Sequence, residues 1–301
     1  GLRREDLFTV VHEQFFTDTA DYADVLLPAT TFLEVKDVQG AYGHLYAQLS
    51  EPAITPLGEA WSNVRLFSEL GKRIGFTEAC FQDTEDELID QALDTEGLPL
   101  SSWFVGITRE RLEREGHVAV ALPENAEGEV LPFSTAEWFR TPSGRGELTP
   151  VPVFLAPTES RGGAAAKDGR YPLEFLPRKS DNYMNSTFAN IPRHQKMEAR
   201  RAGVLEMHGV DAGARGVATG DAVEVFNARG RIKLRAMVGE TVPQGVVAAR
   251  LDWNKLSGLR GEGGGNVNAL TSETLTDIGG GATFYSTLVE VRRAIESDNC
   301  S

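Results

Sequence analysis

Residues 222–238 read AVEVFNARGRIKLRAMV, and this stretch decides how the second half of the chain folds. The polar turn Asn227 to Gly230 separates two runs rich in apolar and β-branched side chains, which predicts a β-hairpin. In the second run apolar and basic residues alternate, so one face of that strand is predicted to be buried. The inward positions are Ile232, Leu234, Ala236 and Val238. The hairpin should therefore supply part of the core of a mostly β domain.

Other short strands are predicted around this hairpin. Val246 to Ala249 and Thr287 to Val291 are apolar runs of similar length, and the pattern is mostly strand from Tyr171 onward. Short strands leave unpaired backbone groups at the edges of a sheet, and closure into a barrel removes those edges. We therefore predict a small β-barrel over residues 171–301.

The segment KSDNYMNSTFANIP, residues 179–192, combines hydroxyl and amide side chains with a cation. A core strand would not tolerate so many polar groups, so we predict a loop that holds a polar ligand. Basic residues surround this segment: Arg178, Lys179, Arg193, His194, Lys196, Arg200 and Arg201. Because the formal net charge of the chain is −14, this local positive charge indicates a site for a small anion.

The first part of the chain has the pattern of an α/β domain. Leu7 to Val11 and Val25 to Leu27 are short apolar runs, typical of parallel strands buried on both faces. Capping residues predict three helices, which begin after Ser62, Thr84 and Thr108 and end at Gly75, Leu93 and Gly116. The first helix carries an apolar face that is predicted to pack on the sheet: Val64, Phe67, Leu70, Gly71 and Ile74.

A linker is predicted between the two parts. Prolines recur from Pro123 to Pro157, and residues 161–169 are small and charged. The first domain should therefore span residues 1 to about 165 and the second residues 171–301. An apolar strand so soon after Gly1 leads us to expect a longer protein upstream. The sheet of the first domain should then lack neighbours on one side and expose apolar surface.

Composition narrows the class of protein. A chain of 301 residues with 41% hydrophobic and 25% charged residues is long enough for two globular domains. Its acidic balance disfavours nucleic acid or an anionic membrane as a partner, and no run reaches the roughly 18 apolar residues of a membrane helix. Cys80 and Cys300 have no metal-binding or disulfide spacing, which favours a reduced, cytoplasmic location, with export left open.

The motifs of self-contained catalysis are missing from the sequence. The 5 histidines show no H-x-x-x-H or H-E-x-x-H spacing, and no G-x-S-x-G or G-x-G-x-x-G motif follows a predicted strand. A zinc site, a hydrolytic triad and a nicotinamide dehydrogenase are therefore disfavoured. Glycine clusters at 261–265 and 279–281 flank Asn268 to Thr271, where backbone could approach a phosphate or flat heterocycle. The alternative is that both clusters are surface loops.

Several ordered motifs resemble one enzyme family. They are VVHEQFFTDTA at 10–20, ADVLLP at 23–28, GAYGH at 40–44, PLGEA at 56–60 and NALT at 268–271. Together they resemble the molybdopterin oxidoreductases of the dimethyl sulfoxide reductase superfamily, over most of the chain except about residues 78–170. The resemblance implies a partial α/β Rossmann-like domain followed by a mostly β double-psi-type barrel. It also implies two molybdopterin guanine dinucleotides (bis-MGD) around one molybdenum or tungsten.

The resemblance further implies which residues contact this cofactor. Guanosine contacts fall at His12, Glu13 and Asn63, with Lys36 or Asp37 at a further position. Pyrophosphate and pterin contacts fall at Lys179, Ser180, Asn185, Ser186, Thr187, Asn268 and Tyr285. Such ligands need paired donors and acceptors, hydroxyls and cations. The structural alternatives are an exposed carboxylate for Glu13, a helix cap for Asn63, and turn formers for Ser186 and Thr187.

The family's metal ligand and any iron–sulfur cluster would lie upstream of this sequence. We therefore expect a C-terminal portion of a molybdenum or tungsten oxidoreductase that binds the cofactor but performs no redox turnover alone. Its partners would be the upstream domains of the same polypeptide and a small-molecule redox substrate. The alternative is a non-catalytic binding or adaptor module, since double-psi barrels serve both purposes. If the chain binds the cofactor, residues 179–187 and 263–271 should lie on one face of the barrel.

Overall fold

A computed structural model describes residues 1–96, 103–122, 124, 127–129, 139, 141–148, 151, 153–252, 265–276 and 279–294. The chain divides into two compact units, unit 1 from Gly1 to Pro152 and unit 2 from Val153 to Ser301. The predicted domain limits at about 165 and at 171 lie close to this division and stay predictions.

Unit 1 contains two small sheets. Strands β1 (Val10–Glu13) and β2 (Val25–Pro28) pair in parallel, as predicted, although β1 begins three residues later than expected. Strands β3 (Asp37–Ala41), β4 (His44–Ser50) and β5 (His117–Ala119) form an antiparallel sheet that the sequence pattern did not predict. The Rossmann-like assignment of this unit stays a prediction, because the parallel part of the described sheet has only two strands.

The three predicted helices of unit 1 are confirmed with their caps. They are α1 (Asn63–Ile74), α2 (Glu85–Leu93) and α3 (Arg109–Glu115). The hydroxyls of Ser62 and Thr108 each accept a hydrogen bond from a first-turn backbone N–H, and Thr84 forms a capping box with Glu87. Gly75 ends α1 with a φ of 98°, a conformation that glycine adopts without strain.

The predicted packing of α1 on the sheet is wrong. Its apolar side chains Phe67, Leu70 and Ile74 are 59%, 46% and 61% exposed, and the helix instead contacts the 3-10 turn Ala79–Phe81. The apolar side chains of Phe8, Val10 and Val25 are exposed as well, so the predicted burial of these strands on both faces is wrong for the described residues. The buried core of unit 1 lies between the antiparallel sheet and α2 and α3: Ala47, Ile89, Leu93, Ile107, Leu112 and Val118.

Charged side chains hold α2 and α3 to this sheet. The Lys36 ammonium lies 2.8 Å from Asp86, 2.8 Å from Glu113 and 3.4 Å from Glu51, although only 14% of its side chain is exposed. Lys36 is the main cause that lowers the pKa of both Asp86 and Glu113. Lys36 therefore belongs to an ion-pair network inside unit 1. Nothing in this arrangement supports the prediction that Lys36 is a further guanosine contact.

We expect Lys36→Met to lower the stability of unit 1 by about 1–2 kcal/mol, because three carboxylates then lose a half-buried partner. The exposed pair Lys72–Glu69, at 3.6 Å, provides the control, and Lys72→Met should change stability by less than about 0.5 kcal/mol. Because the folded state lowers the pKa of the Asp86 and Glu113 carboxyl groups, their ion pairs stabilise the fold above about pH 4. This contribution is lost as the pH falls through the lowered pKa values. The measurement is thermal unfolding of both variants at about pH 7 and about pH 3. Equal losses of stability in the two variants at both pH values would contradict the network.

Unit 2 is a closed six-stranded barrel. Its strands are β6 (Leu173–Arg178), β7 (Val204–His208), β8 (Ala222–Phe226), β9 (Arg231–Gly239), β10 (Val246–Arg250) and β11 (Leu288–Arg293). They close in the order β10–β6–β11–β8–β9–β7. The pairs β6–β10 and β7–β9 are parallel and the other pairs are antiparallel. The predicted barrel is confirmed, and its six strands with two parallel pairs support the predicted double-psi type.

The predicted hairpin 222–238 forms β8 and β9, with the predicted inward face. Ile232, Leu234 and Ala236 are buried, and Val238 is partly buried against the same core. The largest fully buried side chains of the barrel come from five of its six strands and from the segment between β10 and β11: Leu173, Phe175, Leu205, Met207, Val223, Val225, Ile232, Leu234, Val247, Val267 and Leu270. This core makes the barrel a rigid base for the loops at its ends.

Two further features of unit 2 were not predicted. A short helix, α4 (Pro192–Glu198), follows the polar loop, and α5 (Gly209–Gly213) follows β7. Proline suits the first turn of a helix because the missing N–H has no partner there in any case. The end of the expected linker is also held against the barrel, since Glu159 pairs with Arg229 at 2.6 Å and the Arg161 guanidinium donates to Gln244 O at 3.0 Å.

Candidate functional site

A cavity of about 420 Å³ lies where β6 and β10 end. It is lined by Pro177, Arg178, Lys179, Asn185, Ser186, Leu251, Val267, Asn268, Phe284 and Tyr285, and we call it the barrel cavity. Five of the residues singled out from the sequence meet here: Lys179, Asn185, Ser186, Asn268 and Tyr285. The expectation that residues 179–187 and 263–271 share one face is therefore confirmed for the described residues 179–187 and 265–271.

A tight turn presents Asn185 and Ser186 to the cavity. The main chains of Met184 and Thr187 exchange two hydrogen bonds, of 3.1 and 3.0 Å, around these two residues. Asn185 has a φ of 57°, in the left-handed region that asparagine tolerates better than most residues. The Lys179 ammonium donates a hydrogen bond to Asn185 Oδ1, so the turn and the cation lie together.

Ser180 and Thr187 support this loop rather than line the cavity. The Ser180 hydroxyl donates to Leu251 O at 2.6 Å, which ties the loop to the end of β10. Thr187 contributes its main chain to the tight turn. Contact of these two residues with a cofactor stays a prediction.

Asn268 lies in a 3-10 turn, Val267–Ala269, between two side chains anchored in the core. Val267 and Leu270 are fully buried, while Asn268 between them is exposed to the cavity. The β8–β9 turn supports this segment, because Asn227 Nδ2 and Arg229 Nε each donate to Leu270 O at 2.8 Å. The hairpin that defines the fold therefore also positions Asn268. Of the first glycine cluster, residues 261–264 lie outside the described residues.

The sequence interpretation missed the aromatic wall of the cavity. Phe284 packs beside Tyr285 with ring centroids 4.4 Å apart, and both rings line the cavity. Two adjacent aromatic residues within a run of glycine, threonine and serine are unusual for a surface loop, and this was the signal available in the sequence. Tyr285 alone was singled out because of the family resemblance.

A buried polar network lies behind the loop. The Glu198 carboxylate is buried and accepts hydrogen bonds from Asn182 N at 2.7 Å and from Asn182 Nδ2 at 2.8 Å. His194 Nδ1 lies 2.7 Å from Asn182 O. Burial, with Asp252 and Glu198 nearby, raises the pKa of Tyr183 to about 12, so its hydroxyl remains protonated at neutral pH. This network fixes the start of the loop that carries Asn185 and Ser186.

Two of the three candidates of unit 1 contact each other, and one of them lines a separate cavity of about 760 Å³. His12 lines this cavity, and its Nδ1 lies 3.0 Å from Asn63 Oδ1. Asn63 is the first residue of α1 and Ser62 is the cap, so the alternative of Asn63 as the cap is wrong. Trp61 and Arg65 line the same cavity, with the guanidinium carbon 4.1 Å from the ring centroid. Glu13 accepts from the neighbouring Gln14 N at 2.7 Å and does not line the cavity.

The described residues also bear on metal sites and membrane segments. In that part of the chain no group of three or more histidine, cysteine, aspartate or glutamate side chains could hold a metal ion. Cys80 is an exposed thiol in a 3-10 turn. No described helix is long and apolar enough to cross a membrane.

Comparison with known families bears on both units. Residues 173–288 match the family model "Molydopterin dinucleotide binding domain", and residues 1–73 match "Molybdopterin oxidoreductase". The dimethyl sulfoxide reductase DmsA of Escherichia coli is 27% identical over 94% of this chain and 37% of its own length. The chain belongs to the dimethyl sulfoxide reductase superfamily. The barrel cavity thus lies within the part of this superfamily member that matches a dinucleotide-binding domain.

Two other relatives extend this comparison. The probable oxidoreductase YoaE of Bacillus subtilis is 37% identical over 97% of this chain and 41% of its own length. The solved structure of acetylene hydratase from Pelobacter acetylenicus has a TM-score of 0.68 at 22% identity, and it covers 95% of this chain and 40% of that one. The latter likeness shows the fold alone. The chain spans about two fifths of the length of the curated relatives that it matches.

Proposed function

We propose that this chain forms part of the binding site for a molybdopterin dinucleotide in a molybdenum oxidoreductase. The observation that carries the proposal is the barrel cavity, which brings Lys179, Asn185, Ser186, Asn268 and Tyr285 together from three separate stretches of sequence. The matching family models support the cofactor class. Domains outside these residues would supply the metal ligand and the contacts with a small-molecule redox substrate.

The groups in the barrel cavity suit such a cofactor. The amides of Asn185 and Asn268 offer the paired donors and acceptors that the edge of a pterin needs. Lys179 and Arg178 offer cations for an adjoining phosphate, and Phe284 and Tyr285 offer flat apolar surface for the ring system. A volume of about 420 Å³ is at the lower end of the range for small-molecule sites and fits the pterin with one phosphate rather than the whole dinucleotide. When bound, the cofactor supplies the metal-centred redox chemistry.

We extend the proposal to the guanine form of the dinucleotide. The cavity of unit 1 is lined by His12 and by the stacked Trp61 and Arg65, and Asn63 adjoins it through its contact with His12. A purine base needs hydrogen-bonding groups and a flat face, and Arg65 offers N–H donors while Trp61 offers a flat ring. His12 would act by contact, because its two ring nitrogens already lie near Asn63 Oδ1 and Pro28 O. Glu13 remains a candidate through the family pattern alone. Molybdenum is the metal of the proposal, with tungsten as the alternative.

The test is Asn268→Leu in the cofactor-loaded protein. The substitution should leave the fold intact, because the side chain is exposed to the cavity, but a polar cofactor group would lose its partner. We expect cofactor retention to fall by about 1–3 kcal/mol, measured as the molybdenum and pterin that remain bound after dialysis. Asn190→Leu, which lies outside the cavity, is the control and should retain the cofactor normally. Normal retention by a folded Asn268→Leu variant would favour the adaptor function instead.

A further inference from the structure

A second cavity in unit 2 collects arginine side chains. It has a volume of about 460 Å³ and is lined by Arg178, Arg200, Arg201, Val204, Glu206, Met237, Thr241 and Arg250, and we call it the arginine cavity. Four guanidinium groups and one carboxylate line it, in a chain whose formal net charge is −14. The basic run of the sequence thus divides, with Lys179 in the barrel cavity and Arg200 and Arg201 in this one.

Strand register explains how this cavity forms on the outer face of the barrel. Arg178 of β6 is the direct partner of Arg250 of β10, so their side chains lie on the same face of the sheet. Glu206 of β7 is in turn the direct partner of Met237 of β9. The alternate residues of these strands point into the barrel core, so these four side chains face outward together. The turn after α4 adds the two remaining arginines.

The positive charge in this cavity is only partly neutralised by the protein. Arg178 Nη1 donates to both oxygens of Glu206, at 3.0 and 2.8 Å. Arg201 and Arg250 share Asp181, at 2.6 and 2.9 Å, and Glu198 lies 3.8 Å from Arg250. Arg200 forms no ion pair with a carboxylate of the described residues. Four guanidinium groups therefore share three carboxylates, which leaves an excess of one positive charge.

The cavity also has spare hydrogen-bond donors. Each guanidinium carries five N–H groups in a fixed plane, and the hydrogen bonds of Arg178 to Glu206 and of Arg201 to Asp181 use one nitrogen of each arginine. Arg250 is only 13% exposed, and its Nη1 has an ion-pair distance to Asp181 but no aligned hydrogen bond. An oxyanion with several acceptor oxygens would satisfy donors that converge from different directions. Val204 and Met237 add an apolar wall, and Thr241 adds a hydroxyl group.

We propose that the arginine cavity binds the phosphate group of a small phosphorylated organic molecule, at a site distinct from the barrel cavity. A phosphate has three free oxygens and up to two negative charges, which suits several guanidinium groups better than a carboxylate does. The volume exceeds what a phosphate alone would fill, and the apolar wall offers contact surface for the carbon part of the ligand. Seven of the eight lining residues of the arginine cavity do not line the barrel cavity, so the site is argued without the proposed cofactor function, although Arg178 lines both cavities.

The experiment is calorimetric titration of the purified 301-residue chain with glycerol 3-phosphate, inorganic phosphate and glycerol. The test variant is Arg200→Gln with Arg201→Gln, chosen because both side chains are exposed and neither lines the barrel cavity. The matched control, Arg193→Gln with Lys196→Gln, removes the same charge from exposed positions on α4 that do not line the arginine cavity. A second control, Asn268→Leu, alters the barrel cavity only.

We expect saturable binding of glycerol 3-phosphate, weaker binding of inorganic phosphate and none of glycerol. The affinity should fall about tenfold or more in the Arg200/Arg201 variant and remain within about twofold in both controls. Absence of saturation up to roughly 10 mM would overturn the site. Loss of binding in Asn268→Leu would assign the anion to the barrel cavity and equally overturn it. Equal loss in both double variants would show a nonspecific charge effect, and equal affinity for the two phosphates would refute the organic ligand.

Discussion

Replacing Phe175 by alanine is expected to lower the free energy of unfolding of the barrel by about 3–5 kcal/mol. Phe175 is 1% exposed and belongs to the core that all strands of the barrel share. Interiors of this kind are packed like crystals, so the neighbours cannot move far enough to refill the volume of a phenyl ring. The result would be a cavity that destabilises the barrel and, with it, the base on which the candidate site rests.

Leu176→Ala is the matched control for this prediction. Leu176 is the next residue of β6, points out of the barrel and is 37% exposed, so its truncation should cost less than about 1 kcal/mol. Because the chain has two compact units, hydrogen-exchange protection of the barrel strands is a better measure than one global unfolding curve. Similar losses of protection in the two variants would show that the inward and outward faces of β6 are wrongly assigned.

Replacing Glu198 by leucine should have the second largest effect, a destabilisation of about 2–4 kcal/mol. The side chain is 3% exposed, and its carboxylate is the acceptor for two N–H groups of Asn182 and a neighbour of Arg250. Leucine has a similar volume, so the core packing is retained while these donors lose their acceptor. The loop that carries Asn185 and Ser186 would then lose its buried attachment, and cofactor retention should fall together with stability.

Glu198→Gln separates the hydrogen bonds from the charge. The amide oxygen of glutamine still accepts from Asn182 N, so this variant should lose less than half as much stability as the leucine variant. Denaturant unfolding followed by hydrogen exchange of the loop amides measures the difference. If the leucine variant proved as stable as the glutamine variant, Asn182 would have other partners and the network would not fix the loop.

Local patterns predicted several elements of this protein correctly. The hairpin 222–238 and the capped helices α1 and α2 follow from residues that are neighbours in the chain, such as the turn Asn227 to Gly230 and the capping box at Thr84. Turn geometry and capping depend on backbone groups within a few residues, so the sequence contains all that is needed to recognise them.

The pairing of distant elements was not predicted. Strand β6 lies in the stretch after Tyr171 that was predicted to be mostly strand, but its bounds and partners were not identified, and its Pro177 cannot donate to a ladder. Its pairing with β10 and β11 supplies the missing stabilisation. The antiparallel sheet of unit 1 likewise depends on β5, which lies far from β4 in the sequence. Helix α1 is the opposite case. Its amphipathic pattern predicted the helix correctly but did not identify the element that its apolar face contacts.

The sequence by itself determined the mostly β second half, the helix boundaries of the first half and the types of residue that a polar anionic ligand would need. The tertiary structure alone decided which of these residues share a cavity. Lys179 and Asn268 meet because the parallel pairing of β6 with β10 brings the end of β6 beside the segment that the β8–β9 turn supports. The same register turns Arg178 and Arg250 to the outer face. Side-chain direction alternates along a strand, so the register between strands decides which face each side chain reaches, and no local sequence pattern contains that information.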